Sequence, residues 1–191
     1  MAAKYENHYY GSQSRIMYDK VALEIEKFKH EFILDLGCGK GFFLEKLKEY
    51  KSKLYGVDIS PQMIKYAQER IGNYAEFKVA DSENLPWEDN TFDIISCILS
   101  FHHYPEPMKS LNEMKRVLKK NGHITIAEVW VPVPFRTLAN LYMKSKLNKT
   151  GDVKVYSKQE WQNMLGNTGF INIKIEKIKG FFLIITAEFA K

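Results

Sequence analysis

The sequence predicts an α/β fold: a doubly wound, mostly parallel sheet of seven strands that ends in an antiparallel hairpin. Two observations indicate this class. Through residue 129, short apolar runs alternate with amphipathic helical segments, and strands separated by helices are typical of parallel sheets covered on both faces. After residue 157, one helix is followed by two consecutive strands across a tight turn, which is the pattern of a hairpin.

The individual elements follow from hydrophobic periodicity and from end signals. Ser60 followed by Pro61 is an N-cap with proline at the first helical position, so a helix is expected to begin there. Asn121 and the next glycine are expected to end the helix that begins near Pro107. Strands are predicted at 32–36, 53–57, 76–80, 92–99, 123–129, 171–178 and 181–189, and further helices at 14–29 and 42–49.

The last third of the chain departs from this alternation. Residues 131–156 contain irregular, proline-bearing chain and are predicted to be an insertion before the last helix. Ser157 and Glu160 have the spacing of a capping box, so that helix should begin at residue 157 and end at Gly166 or Gly169.

Composition and charge fit one globular domain over residues 1–191. The chain is 45% hydrophobic and has a formal net charge of +5 spread over several lysine groups, which is typical of a solvated surface. The start of the chain lacks an apolar leader, and the apolar stretch 181–190 is too short to span a bilayer, so we expect a cytoplasmic protein without a membrane partner. Cys38 and Cys97 lack partners at ligand spacing, so neither a disulfide nor a metal site is predicted.

The motif around residue 37 carries the chemistry. An apolar run reaches Asp35, and three glycines then alternate with other residues over 37–41, where a helix begins. Glycine permits a sharp turn from strand to helix and lets a ligand approach the bare backbone. Asp58 and Asp81 each follow a later apolar run, so all these residues should meet at the carboxyl edge of the sheet. The pattern indicates a binding site for a nucleoside-containing cofactor.

These motifs, in this order, resemble those of class I S-adenosylmethionine-dependent methyltransferases, particularly the small-molecule group that includes the quinone-biosynthesis methylases. The likeness extends from about residue 14 to the C terminus, and several motifs in the same order are far more specific than one glycine loop. The resemblance implies a Rossmann-like fold and a methyltransferase that uses S-adenosylmethionine and releases S-adenosylhomocysteine. The matching segments are ILDLGCGKG (33–41), GVDISPQM (56–63), ADSENLPW (80–87), DNTFDII (89–95) and FHHY (101–104).

The resemblance also implies how the cofactor is bound. Asp35 and the glycine-loop backbone would hold the methionine part, and Asp58 would accept hydrogen bonds from both ribose hydroxyls. Asp81 would hold the adenine amino group. The family often folds its N-terminal segment over the cofactor, which gives residues 1–30, with Tyr5, Tyr9, Tyr10 and Tyr18, a possible capping role. The expected cofactor-binding residues are Asp35, Gly37, Cys38, Gly39, Asp58, Ile59, Met63, Asp81, Ser82 and Cys97.

Catalytic residues are less clearly indicated. His103 follows the fourth strand and Glu128 closes the fifth, so both are candidates for a general base at the ligand edge. A purely structural role for the histidine stays open, because the family often has histidine there whatever its substrate. A nicotinamide cofactor is disfavoured, since Phe42 stands where the dinucleotide fingerprint requires its third glycine.

The acceptor is predicted to be a small, partly apolar molecule. Residues 131–156 are expected to cover its site, and they carry apolar side chains such as Phe135, Leu138 and Leu141. Two alternatives stay open: an RNA or protein methyltransferase that uses the lysine-rich surface, and a module that binds the cofactor without catalysis. The oligomeric state is left open, and no cluster of acidic metal ligands is apparent.

Overall fold

The computed structural model describes residues 9–149, 151–178 and 180–190, with side chains from residue 15 onward. Its strands are β1 (Phe32–Leu36), β2 (Lys53–Asp58), β3 (Ala75–Val79), β4 (Phe92–Ile98), β5 (Leu118–Val129), β6 (Ile171–Ile178) and β7 (Phe182–Phe189). Its helices are α1 (Tyr9–Ile25), α2 (Phe42–Lys46), α3 (Pro61–Ile71), α4 (Pro107–Val117), α5 (Phe135–Met143) and α6 (Lys158–Thr168).

The seven strands form a single sheet in the order β3-β2-β1-β4-β5-β7-β6. Strands β1 to β5 pair in parallel, and β7 lies antiparallel between β5 and β6. The predicted fold class is therefore confirmed, including its closing hairpin. Chain order reverses direction across the sheet between β1 and β4, and ligands of doubly wound sheets bind at such a switch point.

Two helix ends follow the sequence signals. The Ser60 hydroxyl accepts a hydrogen bond of 3.4 Å from the Met63 N–H at the start of α3. At α6 the capping box is complete, because the Ser157 hydroxyl accepts from the Glu160 N–H at 3.1 Å and the Glu160 carboxylate accepts from the Ser157 N–H at 2.7 Å. Helix α6 ends at Gly169, whose φ of 95° suits glycine.

Several predicted boundaries differ from the structure: α1 covers Tyr9–Ile25 rather than 14–29, α2 ends at Lys46 rather than at 49, and β5 begins at Leu118 rather than at 123. Helix α4 ends at Val117 rather than at Asn121, because Leu118 adopts extended backbone, is fully buried and pairs with Phe92 of β4. Burial in the sheet outweighs the turn signal further along. The proline-bearing insertion also contains a helix, α5, although none of the α5 residues is buried.

The core lies on both faces of the sheet. Neighbouring residues of β1 alternate between them: Ile33 packs with α1, α2 and α3, whereas Leu34 packs with α4 and α6. Burial of β1 on both faces is what the run of apolar residues predicts for a central parallel strand. Within the described part of the chain, no helix is long and apolar enough to cross a membrane.

Candidate active site

Four strand ends lie side by side at the carboxyl edge of the sheet. Asp58 pairs with Val79 of β3, and Leu36 of β1 pairs with Val57 of β2. Adjacent strands are about 4.8 Å apart, so the edge from β3 to β4 extends about 14 Å. The structure thus brings Asp81, Asp58, the loop at 37–41 and the end of β4 to one edge, in that order.

The glycine loop is fastened to β2 through its backbone. The N–H groups of Gly37 and Cys38 both donate to the Val57 carbonyl, at 2.8 and 3.0 Å. The Gly39 N–H donates to Asp58 Oδ2 at 3.0 Å. These bonds hold the loop in a turn in which Gly37 has φ of 72° and Gly39 φ of 53°, both in the left-handed region that favours glycine.

The two glycines have different surroundings. A Cβ added at Gly37 would lie 1.9 Å from the Ser100 hydroxyl, so the absence of a side chain there allows the loop to pack against the chain that follows β4. A Cβ at Gly39 would meet no atom of the described chain within 4 Å. Gly39 therefore presents bare backbone to open space, as close approach by a ligand requires.

Asp58 organises this part of the edge. In addition to the bond from Gly39, its Oδ1 accepts from the Ser60 N–H at 2.9 Å. A carboxylate has about four acceptor positions, so each oxygen keeps capacity for a further donor. The half-buried Asp58 carboxylate thus fixes the loop and can still receive a pair of hydroxyl donors.

Asp35 lies beneath the loop and is nearly inaccessible, with 3% of its surface exposed. Burial raises its pKa to about 7, the Ser96 hydroxyl opposes this by donating to Oδ1 at 2.7 Å, and the negative charge of Asp58 raises it further. A carboxyl group with a pKa raised in this way keeps its proton at pH values where an ordinary aspartate is ionised. A cationic group bound beside it would favour the ionised form.

Asp81 lies on the loop that follows β3. Its side chain is exposed, and Oδ1 accepts from the Glu83 N–H at 3.0 Å. The neighbouring Ser82 is buried, and its hydroxyl is 2.8 Å from that of Ser110 on α4. The exposed acid is available to a ligand, while its neighbour anchors the loop.

A pair of charged residues on α4 holds the same loop. The Arg116 guanidinium donates to the carbonyls of Leu85 and Trp87, at 2.8 and 2.7 Å. Glu113 receives two bonds from Arg116 and a third, of 2.7 Å, from the Leu85 N–H. Sequence reasoning missed both residues, because an acid and a base three positions apart on a helix look like an ordinary surface pair.

The remaining predicted cofactor residues divide into two groups. Ile59 is 70% exposed and Met63 is half-buried, so both can offer apolar surface to a ligand. Cys38 and Cys97 are free thiols buried in the core, where burial raises their pKa well above the ordinary value. The Cys97 Sγ lies 3.6 Å from the Tyr104 hydroxyl, so its side chain packs within the protein.

The histidines after β4 form a second polar group, at the ends of β4 and β5. His102 Nδ1 lies 2.7 Å from Glu128 Oε2, and Glu128 is 3% exposed. Burial lowers the pKa of His102, but Glu128 and Asp152 together raise it above its ordinary value. His103 Nδ1 lies 3.2 Å from Asp152 Oδ1. The two candidate bases, His103 and Glu128, therefore have different partners: Asp152 and His102, respectively.

Asp152 was not found from the sequence. It lies 49 positions after His103, within the insertion, and no local pattern distinguishes it from a surface acid. Its segment reaches the histidines because the Val153 N–H donates to the His102 carbonyl at 2.7 Å. Only the folded chain brings the two together.

The covering roles predicted for the insertion and the N-terminal segment stay predictions. Phe135, Leu138 and Leu141 of α5 are 61–63% exposed, whereas Val155 and Tyr156 are buried. Tyr18 of α1 is half-buried, and its ring lies 5.8 Å from that of Phe43 on α2. Tyr5 lies outside the described residues, as do the side chains of Tyr9 and Tyr10.

Comparison with known proteins gives a consistent result. A profile of methyltransferase domains matches residues 34–126, which include the glycine loop, Asp58 and Asp81. The uncharacterized methyltransferase YcgJ of Bacillus subtilis is 29% identical over 136 residues, a match that covers 69% of this chain and 54% of YcgJ. The demethylmenaquinone methyltransferase of Staphylococcus aureus is 26% identical, over 88% of this chain and 79% of its own.

A solved structure shares the fold. The S-adenosylmethionine-dependent methyltransferase of Aquifex aeolicus matches with a TM-score of 0.70 and 23% identity, over 94% of this chain and 98% of its own. The sheet order, the glycine loop between β1 and α2, and the matched domain agree on one assignment. In its matched domain and in its fold, the chain is therefore similar to S-adenosylmethionine-dependent methyltransferases.

Proposed function

We propose that this chain binds S-adenosylmethionine along the β3-to-β4 edge and transfers its methyl group to a small, partly apolar acceptor. The observation that carries the proposal is the loop at Gly39, where bare backbone faces open space while its N–H is held by Asp58. If the loop served packing alone, Gly39 would be surrounded by protein atoms as Gly37 is, with no space for a side chain.

The residues of the edge fit the parts of this cofactor. Asp35 is a buried carboxyl group that has a hydroxyl donor but no cation in contact among the described residues, and the amino-acid end of the cofactor would supply an ammonium group. Asp58 has acceptor capacity for the vicinal ribose hydroxyls, and Ile59 offers an exposed apolar surface to a ring. Asp81 can accept from the adenine amino group.

The bound cofactor would supply a methyl group already activated on a sulfonium. The protein then contributes alignment of the acceptor, exclusion of water and, where the acceptor needs it, a site for its proton. The His102–Glu128 pair and His103 lie where β4 and β5 end, next to the glycine loop along the same edge. These side chains are suited to orient the acceptor beside the cofactor sulfur.

The acceptor class is supported by the insertion and by one relative. The α5 side chains Phe135, Leu138 and Leu141 are exposed apolar groups, which are suited to contact an apolar acceptor. In the sequence, α5 lies between Glu128 and Asp152. The S. aureus relative is named a demethylmenaquinone methyltransferase, and a quinone is a small acceptor of this kind.

Isothermal titration calorimetry with S-adenosylhomocysteine tests the cofactor site. Asp58→Ala should weaken binding at least tenfold, because two hydrogen bonds to a charged acceptor are lost. Asp58→Asn keeps one acceptor oxygen, so its affinity should lie between those of Asp58→Ala and the wild type. Asp19→Ala, at an exposed acid of α1 paired with Lys46, is the matched control and should bind like the wild type. Wild-type affinity in Asp58→Ala would contradict the site.

A transfer assay tests the acceptor class. Methyl-labelled cofactor is incubated with hydroquinones and phenols, with RNA and with protein extracts, and incorporation is measured. Turnover confined to the small apolar compounds is the expected outcome. Transfer to RNA with steeply salt-dependent binding would contradict this acceptor class while leaving the cofactor site in place.

A further inference from the structure

One cluster of side chains, at the ends of β4 and β5 where the acceptor is proposed to bind, has the composition of a metal site. His102, His103 and Asp152 each offer one donor atom, and the three atoms lie within 4.8 Å of one another. His102 and His103 belong to the short 3₁₀ turn Phe101–His103 after β4, and Asp152 lies in the insertion. The side chains of His102 and Asp152 are 15% and 24% exposed, so the cluster is partly sheltered but reachable from solvent.

The donor separations suit a tetrahedral ion. His103 Nδ1 is 3.2 Å from Asp152 Oδ1, and His102 Nε2 is 3.6 Å from the same oxygen. A tetrahedral ion with ligand bonds of about 2.0–2.1 Å requires neighbouring donors about 3.3–3.4 Å apart. Two of the three separations are thus close to the required value, and the third lies within 4.8 Å.

Glu128 supplies the supporting contact that metal-binding histidines usually have. Its Oε2 accepts from His102 Nδ1 at 2.7 Å, which turns Nε2 toward Asp152. A carboxylate behind a ligating imidazole fixes the ring and raises its basicity as a ligand. With Nδ1 bonded to Glu128, Nε2 is the His102 ring nitrogen left to face Asp152 Oδ1, at 3.6 Å.

The backbone also joins the two parts of the cluster. The His102 carbonyl accepts from the N–H groups of Val153 and Lys154, at 2.7 and 3.3 Å. Asp152 is therefore fixed relative to the histidine turn by the chain immediately after it.

We propose that His102 Nε2, His103 Nδ1 and Asp152 Oδ1 bind one divalent transition-metal ion of the Zn²⁺ or Co²⁺ type, with the fourth position open. Two imidazoles and one carboxylate are ligands that such ions accept. His103 is then a ligand rather than a base. On the proposed function, an acceptor oxygen could occupy the open position and lose its proton more easily.

Titration of the metal-free, untagged chain with Co²⁺, without cofactor, tests the site. We expect saturation at one ion per chain and visible absorption as intense as tetrahedral Co²⁺ gives. No thiolate charge-transfer band is expected, because both cysteines are buried and neither is among the three donors. Asp152→Asn and His103→Ala should each weaken binding at least a hundredfold, and Glu128→Gln about 10–100-fold. His30→Ala, at a histidine bonded to Ser52 before β1, should bind as the wild type does.

Absence of saturable binding by the wild type would overturn the proposal whether or not the variants fold. Binding that survives in both ligand variants, with circular dichroism showing that they are folded, would overturn it as well. These outcomes do not depend on methyl transfer. Failure of S-adenosylhomocysteine to bind in the separate calorimetric test would count against the proposed function and leave the metal site intact.

Discussion

The glycine loop at 37–41 and the insertion that carries α5 are held in contrasting ways. Three backbone N–H groups fasten the loop to β2 and Asp58, and a Cβ at Gly37 would collide with Ser100. Helix α5 buries none of its residues, and its apolar side chains are exposed. The part of the edge proposed to bind the cofactor is thus preorganised by the sheet, whereas the segment proposed to meet the acceptor has little packing of its own. A rigid cofactor loop beside a loosely packed insertion suits enzymes that share one cofactor but differ in their acceptors.

The largest expected effect concerns the loop. Gly37→Ala should destabilise the chain by about 2–5 kcal/mol, because overpacking against Ser100 adds to the cost of left-handed backbone. Gly39→Ala carries only the backbone cost, about 1–2 kcal/mol, but should weaken S-adenosylhomocysteine binding strongly. Urea unfolding and calorimetry measure the two quantities. Equal destabilisation by both variants would contradict the contrast.

Ser100 offers a rescue that sharpens the same test. Removing its side chain with Ser100→Gly should recover part of the stability lost in Gly37→Ala, because the two nearest clashing atoms belong to Ser100. No recovery in the double variant would show that the loss at Gly37 comes from backbone strain alone.

Asp35 should make cofactor binding depend on pH. Its pKa of about 7 means that below neutrality the group must lose a proton to receive an ammonium, so affinity should fall up to tenfold per pH unit from pH 7 to 5.5. Calorimetry across this range measures how the affinity changes with pH. Asp35→Asn should bind weakly at every pH, and its affinity should not change with pH. A pH dependence that persists in Asp35→Asn would show that another titrating group causes it.

The same pKa predicts an opposite trend for stability. A carboxyl group whose folded pKa lies above its unfolded value binds its proton more tightly when folded. The free energy of unfolding of the cofactor-free chain should therefore fall as pH rises from about 4 to about 7, and Asp35→Asn should reduce that fall.

The smallest effect is expected in α5. Leu138→Ser and Leu141→Ser should change the free energy of unfolding by less than about 0.5 kcal/mol, because both side chains are already 61% exposed. Leu165→Ala in α6, at a fully buried residue, is the contrasting variant and should cost about 2–5 kcal/mol. A large loss in the α5 variants, measured by urea unfolding, would mean that this helix is buried in solution.

The sequence by itself determined the parts that local chemistry dictates. Alternating strands and helices, the capping box at Ser157 and the glycine spacing near Asp35 each reflect short-range physics, so the sheet class and the loop could be predicted. The boundary at Leu118 could not, because burial against Phe92 overrode a local turn signal.

Only the tertiary structure decided the contacts between distant segments. Arg116 holds the loop that bears Asp81, Glu128 pairs with His102, and Asp152 joins the histidines from 49 positions away. None of these pairs has a sequence signal, because the partners meet through sheet order and packing rather than through spacing. The same reason hid the contrast between Gly37 and Gly39, which read alike in sequence and differ only in what surrounds them.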